Sequence, residues 1–314
     1  KGEIRELTKI AKPDIAVVTN IGVSHIERLG SQKEILEAKM EICEGLGAQG
    51  LLVINGDDYL LRNFVNQPSN RTWRDLGITS FSTCKDFDDQ ASYIVHAEKV
   101  ELYSDRTDFS VCVHADNDIS KYNCRLGVVG AHHVRNALVA ILCAAGLRQD
   151  INQVLAALEN YVPVGSRGRI IHTKHFTIYD DAYNASPESM AAAFDSIKQI
   201  ARGRRITAVL GGILELGEYA PQIHEQLGEK AGEFGFETIY ICGENKEDFK
   251  NGIRSVSSQT KILLFEDKDI LLAELLSNLR PDDVILIKAS NSFGFEDITE
   301  QIIQYDHDIQ SKEG

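Results

Sequence analysis

Phe176-Thr177-Ile178-Tyr179-Asp180-Asp181-Ala182-Tyr183-Asn184-Ala185-Ser186-Pro187 runs from an apolar strand through a polar turn into a helix. Asp and Asn suit the turn because their short side chains hydrogen-bond nearby amides, and Pro is at home in a first helical turn. The same rhythm then repeats. Strands are expected over 176–179, 206–210, 238–242, 262–265 and 284–288, with helical spacing over 187–201, 221–234, 246–254, 270–279 and 295–303. Strand-helix alternation of this kind specifies a parallel, doubly wound α/β sheet covered by helices on both faces.

Upstream the pattern is less regular. A helix at the N-terminus leads into a short apolar strand at 15–19, followed by the loop Ile21-Gly22-Val23-Ser24-His25. Ser31-Gln32-Lys33-Glu34 has the form of a capping box and starts the next helix. A strand at 51–54 closes on the turn Asn55-Gly56-Asp57-Asp58. From 93 to 114 apolar and polar residues alternate, with a break near Asp105, as in a half-exposed antiparallel hairpin. Helices are expected over 132–145 and 151–160. This half therefore reads as a parallel α/β sheet carrying a small antiparallel flap, and the boundary to the second half falls between 160 and 170.

Bulk composition narrows the function classes. With 314 residues, 43% hydrophobic and 25% charged, the chain is long enough for two globular domains. A formal net charge of -14 argues against a nucleic-acid partner, which needs clustered Lys and Arg. The six cysteines are scattered, without a C-x-x-C pair, and read as reduced thiols of a cytoplasmic protein. No apolar run reaches membrane-spanning length and no signal peptide is legible, so no membrane insertion is expected. The first residue is Lys1, and the N-terminus reads as cut.

Three places carry charge where packing alone does not call for it. Lys39 lies on the same helical face as Ile35, Ile42, Cys43 and Leu46. It reads either as a snorkelling lysine whose stem packs, or as a functional one whose buried ammonium needs a partner or a chemical change. His25 stands just past the carboxyl end of a parallel strand, where open α/β sheets place ligands; the competing reading is an ordinary loop residue. Asp180 and Asp181 close an apolar strand, an awkward position for two carboxylates without a ligand. Gly211-Gly212-Ile213-Leu214-Glu215-Leu216-Gly217 is a further strand-to-helix turn that could approach an anion. It lacks G-x-G-x-x-G, and the chain has no G-x-x-x-x-G-K-[ST] loop, H-E-x-x-H or G-x-S-x-G. Proteases, lipases and zinc enzymes gain no support from these motifs.

Taken in order, several segments resemble the Mur ligase family. They are Thr19-Asn20-Ile21-Gly22-Val23-Ser24-His25, Ala38-Lys39-Met40-Glu41-Ile42, Asn55-Gly56-Asp57-Asp58 and Gly130-Ala131-His132-His133-Val134-Arg135-Asn136. Gly165-Ser166-Arg167, the Asp180-to-Pro187 turn, Glu215-Leu216-Gly217 and Lys288-Ala289-Ser290 follow. The Tyr-Asn-Ala-x-Pro form and the Leu-Glu-Leu-Gly segment favour the branch that adds D-alanyl-D-alanine. The resemblance implies the C-terminal part of a central ATP-binding domain over 1–162 and a Rossmann-like C-terminal domain over 163–314. The family's phosphate loop and its N-terminal domain precede the region where this chain begins, so the central sheet is expected to be incomplete and the chain alone inactive.

The resemblance also implies roles. Lys39 matches a lysine that the family carbamylates, converting an ammonium into an anion with oxygens for Mg2+. His25 matches a residue of the second Mg2+ site. Asn136 matches an Asn near the adenine of ATP, and Arg167 and Asp181 match groups on nucleotide phosphate and ribose, with Arg169 a competitor for the arginine role. Tyr183 and Asn184 would face the incoming dipeptide in an interdomain cleft. The implied reaction activates UDP-MurNAc-tripeptide as an acyl phosphate, which the amine of D-Ala-D-Ala attacks, in a monomeric enzyme whose C-terminal domain closes over the nucleotide. Four positions depart from the family. His133 replaces an Asn, Gly212 the Asp of a Gly-Asp-Met turn, and Ala289 and Asn291 the Gly and Arg of a Lys-Gly-Ser-Arg segment. The departures at Gly212, Ala289 and Asn291 motivate a second reading, a non-catalytic paralogue that binds nucleotide or precursor. A nicotinamide-dependent dehydrogenase, suggested by the doubly wound half alone, is disfavoured by the missing G-x-G-x-x-G.

Overall fold

A computed structural model describes residues 1–67, 75–80, 91–115 and 118–313; Cys84 lies outside them. The chain forms two compact units. One comprises Lys1–Leu102, Arg106–Gly127 and Ala131–Tyr161; the other comprises Tyr103–Asp105, Val128–Gly130 and Val162–Gly314.

In the first unit, helix α1 (Glu3–Ala11) leads into strand β1 (Ile15–Val18), which runs parallel to β2 (Leu51–Asn55). Parallel pairing continues through β3 (Asp75–Ser80) to β4 (Tyr93–Leu102). Strands β5 (Thr107–Ala115) and β6 (Asp118–Leu126) then add antiparallel to β4, so the expected flap is an extension of the same six-stranded sheet. The centre of the sheet is apolar because it is covered on both faces: Leu52, Val53, Ile54 and Val95 are all fully buried. Helix α5 (Ala131–Gly146) packs on β3, β4 and β5 and buries Val134, Leu138, Ile141 and Leu142. Helices α2 (Ile26–Leu29), α4 (Tyr59–Asn66) and α6 (Ile151–Glu159) complete the unit.

One expectation is corrected here. The helix that begins at Ser31 is α3 (Gln32–Met40), and it gives way to a 3-10 turn over Glu41–Gly45. Ile42, Cys43 and Leu46 therefore do not continue the apolar stripe of Lys39. The turn has its own cause. Glu41 is buried at 4% exposure and its carboxylate accepts the N–H groups of Gly2 and Arg5, capping α1 from outside.

The second unit is the doubly wound sheet. Its strands are β7 (Arg169–His172), β8 (Thr177–Asp180), β9 (Ile206–Gly211), β10 (Thr238–Cys242), β11 (Lys261–Phe265) and β12 (Val284–Lys288). They lie in the order β11-β10-β9-β12-β8-β7, parallel except for β7. After β8 the chain steps outward through β9 to β11, then returns to insert β12 between β9 and β8. The carboxyl ends of β8, β12 and β9 are thus adjacent, the place where open α/β sheets bind ligands. Helices α10 (Lys268–Asn278) and α11 (Glu296–Glu313) cover one apolar cluster through Leu271, Leu275, Ile298 and Ile302, joined by Phe295 just before α11. Helix α7 (Pro187–Ala201) packs on β9 and β12 through residues outside that cluster.

Helices α8 (Ala220–Phe234) and α9 (Lys246–Val256) approach until their backbones touch. A Cβ at Gly252 would run into the Glu225 carbonyl, and one at Gly228 into the Phe249 carbonyl. Neither obstacle is a flexible side-chain end, so the helices must separate to admit a methyl group. Gly252→Ala is expected to destabilise the protein by at least about 2 kcal/mol, read as a lowered denaturant midpoint with an unchanged slope; an unaltered midpoint would contradict this packing.

Candidate functional site

In the second unit the turn after β8 is organised by Lys288. The lysine ends an otherwise apolar strand and is only 1% exposed. Its ammonium donates to the Asp181 carboxylate at 2.6 Å, and to the backbone carbonyls of Asp181 at 3.2 Å and Asn184 at 3.0 Å. Three acceptors satisfy the three N–H groups of the ammonium, which is what lets a cation stay buried here. Burial pushes the Asp181 carboxyl up from the usual carboxylate range, while the Lys288 charge, the Gly168 N–H and Arg167 pull it down. The neighbouring Asp180, 3% exposed, is also raised by burial; it accepts the Ser166 hydroxyl at 2.8 Å.

Ser166 fixes a second segment against this turn. Its carbonyl accepts the Tyr183 N–H at 2.8 Å, and glycines at 165 and 168, both with positive φ, let the chain double back on either side of it. Arg167 and Tyr183 are consequently stacked, with the guanidinium carbon 3.5 Å from the ring centroid. Both side chains are exposed. The stack holds one cation over an aromatic face at the carboxyl edge of the sheet, and the guanidinium edge is free to meet an oxyanion. Arg169, the competitor, instead belongs to edge strand β7. Asn184 is exposed, and its side-chain oxygen accepts the Ala185 N–H. Ser186 then starts α7 with a reciprocal capping box to Ser189.

The Gly-rich turn after β9 lies beside β12. A Cβ at Gly211 would sit 2.6 Å from the Ala289 methyl, so Ala289 and Gly211 are fitted to one another. His224, 2% exposed, accepts the Ile213 N–H at Nε2 (3.0 Å) and contacts the Ala220 carbonyl through Nδ1 (2.7 Å). Those partners require a neutral ring with the proton on Nδ1, in keeping with the lowering that burial imposes. The Ser290 hydroxyl accepts the Leu214 N–H at 3.2 Å. Asn291 is exposed.

In the first unit, His25 and Lys39 lie by the loop that follows β1. His25 is exposed, with φ 64°, at the start of α2. Lys39 is half-buried and its ammonium donates to the Asn20 carbonyl at 2.8 Å, just past β1. Asp58, which sequence reasoning quoted without a role, ties the loops together. It caps α4 through the N–H groups of Leu60 and Leu61, and accepts the Ile21 N–H at 2.7 Å. Asp57 accepts the Ser80 hydroxyl at 2.7 Å, tying the end of β3 to the same turn. Asn136 is exposed on α5. His133 is buried one turn face away; burial lowers it to about 4, so it packs as a neutral ring 4.0 Å from that of His132.

Like Asp58, Lys288 and Ser166 are residues whose roles the sequence did not assign. The signal for Lys288 was present: a lysine closing the buried run Val284-Ile285-Leu286-Ile287 must find acceptors. Replacing it by alanine strands the Asp181 carboxylate. Lys288→Ala is expected to cost on the order of 3 kcal/mol of stability at neutral pH, with a partial return of the melting temperature in the Lys288→Met/Asp181→Asn double variant. A single variant as stable as the parent would show that the pair does not hold the turn.

Comparison with known proteins agrees with this architecture. Residues 1–144 match the Mur ligase middle domain, and residues 166–291 match the domain described as Mur ligase, glutamate ligase domain. The UDP-N-acetylmuramoyl-tripeptide--D-alanyl-D-alanine ligase of Synechocystis is 30% identical over 306 residues, 96% of this chain and 61% of that protein. The Bacillus subtilis ligase of the same name is 30% identical over 97% of this chain and 62% of its own length. The chain therefore spans about three-fifths of the curated relatives it matches. Among solved structures, MurF from Acinetobacter baumannii superposes with a TM-score of 0.81 at 25% identity, covering 97% of this chain and 62% of that one. MurF ligase from Thermotoga maritima in complex with ADP gives 0.77 at 25% identity, over 98% of this chain and 65% of that one. With two consecutive Mur ligase domains matched in order on the sheets described above, the chain belongs to the Mur ligase family.

Proposed function

We propose that this chain supplies the middle and C-terminal domains of an ATP-dependent amide ligase that joins D-alanyl-D-alanine to UDP-N-acetylmuramoyl-tripeptide. The observation that carries the proposal is the turn after β8, where Lys288, Asp181, Arg167 and Tyr183 are held together at the ligand-binding edge of the parallel sheet. It is supported by the similarity to a MurF ligase in complex with ADP and by relatives named for this reaction.

The chemistry begins with the terminal carboxylate of the tripeptide attacking the γ-phosphorus of ATP, with ADP leaving. The D-Ala-D-Ala amine attacks the resulting acyl phosphate, loses a proton, and phosphate departs with the electron pair of the broken C–O bond. Such transfers need alignment and charge neutralisation more than covalent help from the protein. In this reading the Arg167 guanidinium meets nucleotide phosphate, Asp181 accepts from the ribose, and Asn136 contacts the adenine. Lys288 touches none of these groups; it fixes Asp181 and the Tyr183-Asn184 turn, which face the dipeptide.

Mg2+ would be held by His25 and by Lys39 as a carbamate, and would neutralise phosphate charge. An ammonium cannot ligate a cation, so the fit depends on that conversion. The contact at Lys39 is compatible with it, because a carbamate keeps one N–H on Nζ for the Asn20 carbonyl while its two oxygens are free to turn elsewhere. The protein is expected to be a monomer acting in the cytoplasm.

The departures at Gly212, Ala289 and Asn291 favour a second reading, a paralogue that binds nucleotide without turnover. In the full-length protein, ADP binding by calorimetry and phosphate release in the presence of ATP, Mg2+, tripeptide and D-Ala-D-Ala separate the two. Turnover that requires all four, with Arg167→Ala weakening ADP about tenfold to a hundredfold, is the expected result. Nucleotide binding without phosphate release would favour the paralogue, and neither would overturn both.

A further inference from the structure

The antiparallel part of the first unit carries a cluster that the ligase reading does not use. His96 and Glu98 are two residues apart on β4, so they point to the same face of the sheet, and Cys112 on β5 is the direct cross-strand partner of His96. His96 and Cys112 are each 6% exposed, while the Glu98 side chain is 29% exposed. One potential ligand atom from each, imidazole nitrogen, thiol sulfur and carboxylate oxygen, falls within 4.8 Å of the others.

The spacing is closer than that limit requires. His96 Nε2 lies 3.4 Å from Glu98 Oε1, and Cys112 Sγ lies 3.6 Å from the same oxygen. Tetrahedral zinc has bonds of roughly 2.1 Å to nitrogen and oxygen and roughly 2.3 Å to sulfur, so its ligand edges are about 3.4 Å for N···O and about 3.6 Å for S···O. The first two edges of such a tetrahedron are already present. Lys121, the cross-strand partner of Cys112, pairs with the other oxygen, Glu98 Oε2, which orients the carboxylate and leaves Oε1 facing the His and Cys. The His114 ring lies tilted beside that of His96, with ring centroids 5.3 Å apart.

We propose that His96 Nε2, Glu98 Oε1 and Cys112 Sγ form a binding site for a zinc-class divalent cation, with the fourth position open to water on the exposed side of Glu98. Binding releases one proton net: the thiol that now donates to Glu98 Oε1 loses its proton to solvent as the thiolate takes the cation, and the neutral His96 ring carries its own proton on Nδ1 so that the Nε2 lone pair is the ligand. A buried thiolate and carboxylate that share a cation lose the mutual repulsion that would otherwise keep the thiol protonated. The site lies on rigid paired strands of one unit, so it does not depend on nucleotide or on domain movement. Its contribution is a cross-link between β4 and β5 and, through the pairing, a tether on β6.

Cobalt is the probe, since a thiolate ligand gives it a near-ultraviolet charge-transfer band and tetrahedral geometry gives intense visible bands. Untagged protein titrated with Co2+ alone is expected to develop both bands with a stoichiometry of one, and Zn2+ should bleach them. Cys112→Ser should abolish the charge-transfer band, and His96→Gln should weaken Co2+ binding by at least tenfold, with both variants checked for native circular dichroism. His25→Ala should leave the bands intact, which separates this site from the proposed Mg2+ site. A parent protein without a charge-transfer band, or a band that survives Cys112→Ser, would overturn the proposal. Should Cys112→Ser not fold, alkylation of Cys112 in the folded parent supplies the same comparison: Zn2+ must protect it from iodoacetamide, and equal labelling with and without Zn2+ refutes the site.

Discussion

The buried ammonium of Lys288 is the constraint around which the second unit is arranged. A cation at 1% exposure persists only where its donors are all met, and here they are met by one carboxylate and two carbonyls of a single turn. The lysine therefore dictates the path of Asp181 to Asn184 after β8. That path brings the Tyr183 amide to the Ser166 carbonyl and the Tyr183 ring under Arg167. A single electrostatic requirement at the end of β12 thus positions groups that are more than a hundred residues away in sequence. The sheet order makes this possible, because β12 inserts beside β8 rather than extending the sheet outward.

The first unit solves a similar problem with carboxylates. Asp58 caps a helix and holds the Ile21 amide, while Asp57 takes a hydroxyl from β3. Glu41 caps α1 across the chain. Among the described residues, the loop after β1 and the end of β3 are thus both tied to the turn that follows β2. Lys39 is half-buried, and its ammonium donates to the Asn20 carbonyl.

Much of the fold was legible because its signals are strong. The central strands of the second unit, β8, β9, β10 and β12, are buried along nearly their whole length, and 238–242 and 284–288 coincide with β10 and β12. Elements not read from the sequence include β3, α4, β6, β7 and α2, and the last three are weakly patterned. Strand β6 is exposed along most of its length, so DISKYNCRL lacks a clean alternation. Strand β7 is a short edge, and α2 spans one turn. The helix of Lys39 was read too long because Ile42, Cys43 and Leu46 keep helical spacing. Periodicity cannot register that Glu41 is claimed by α1. In the site, Asp180 and Asp181 were conspicuous as charges closing an apolar strand. The Lys288 partnership and the stacking of Arg167 on Tyr183 were not, since both depend on which strand lies beside which.

The proposed acyl activation by ATP, with these domains as its middle and C-terminal parts, has one direct chemical signature. If the tripeptide carboxylate attacks ATP, one of its own oxygens must leave with the phosphate. Tripeptide labelled with heavy oxygen in its terminal carboxylate, incubated with the full-length protein, ATP, Mg2+ and D-Ala-D-Ala, is predicted to yield inorganic phosphate carrying one labelled oxygen per amide bond formed. Amide product accompanied by unlabelled phosphate would contradict the account.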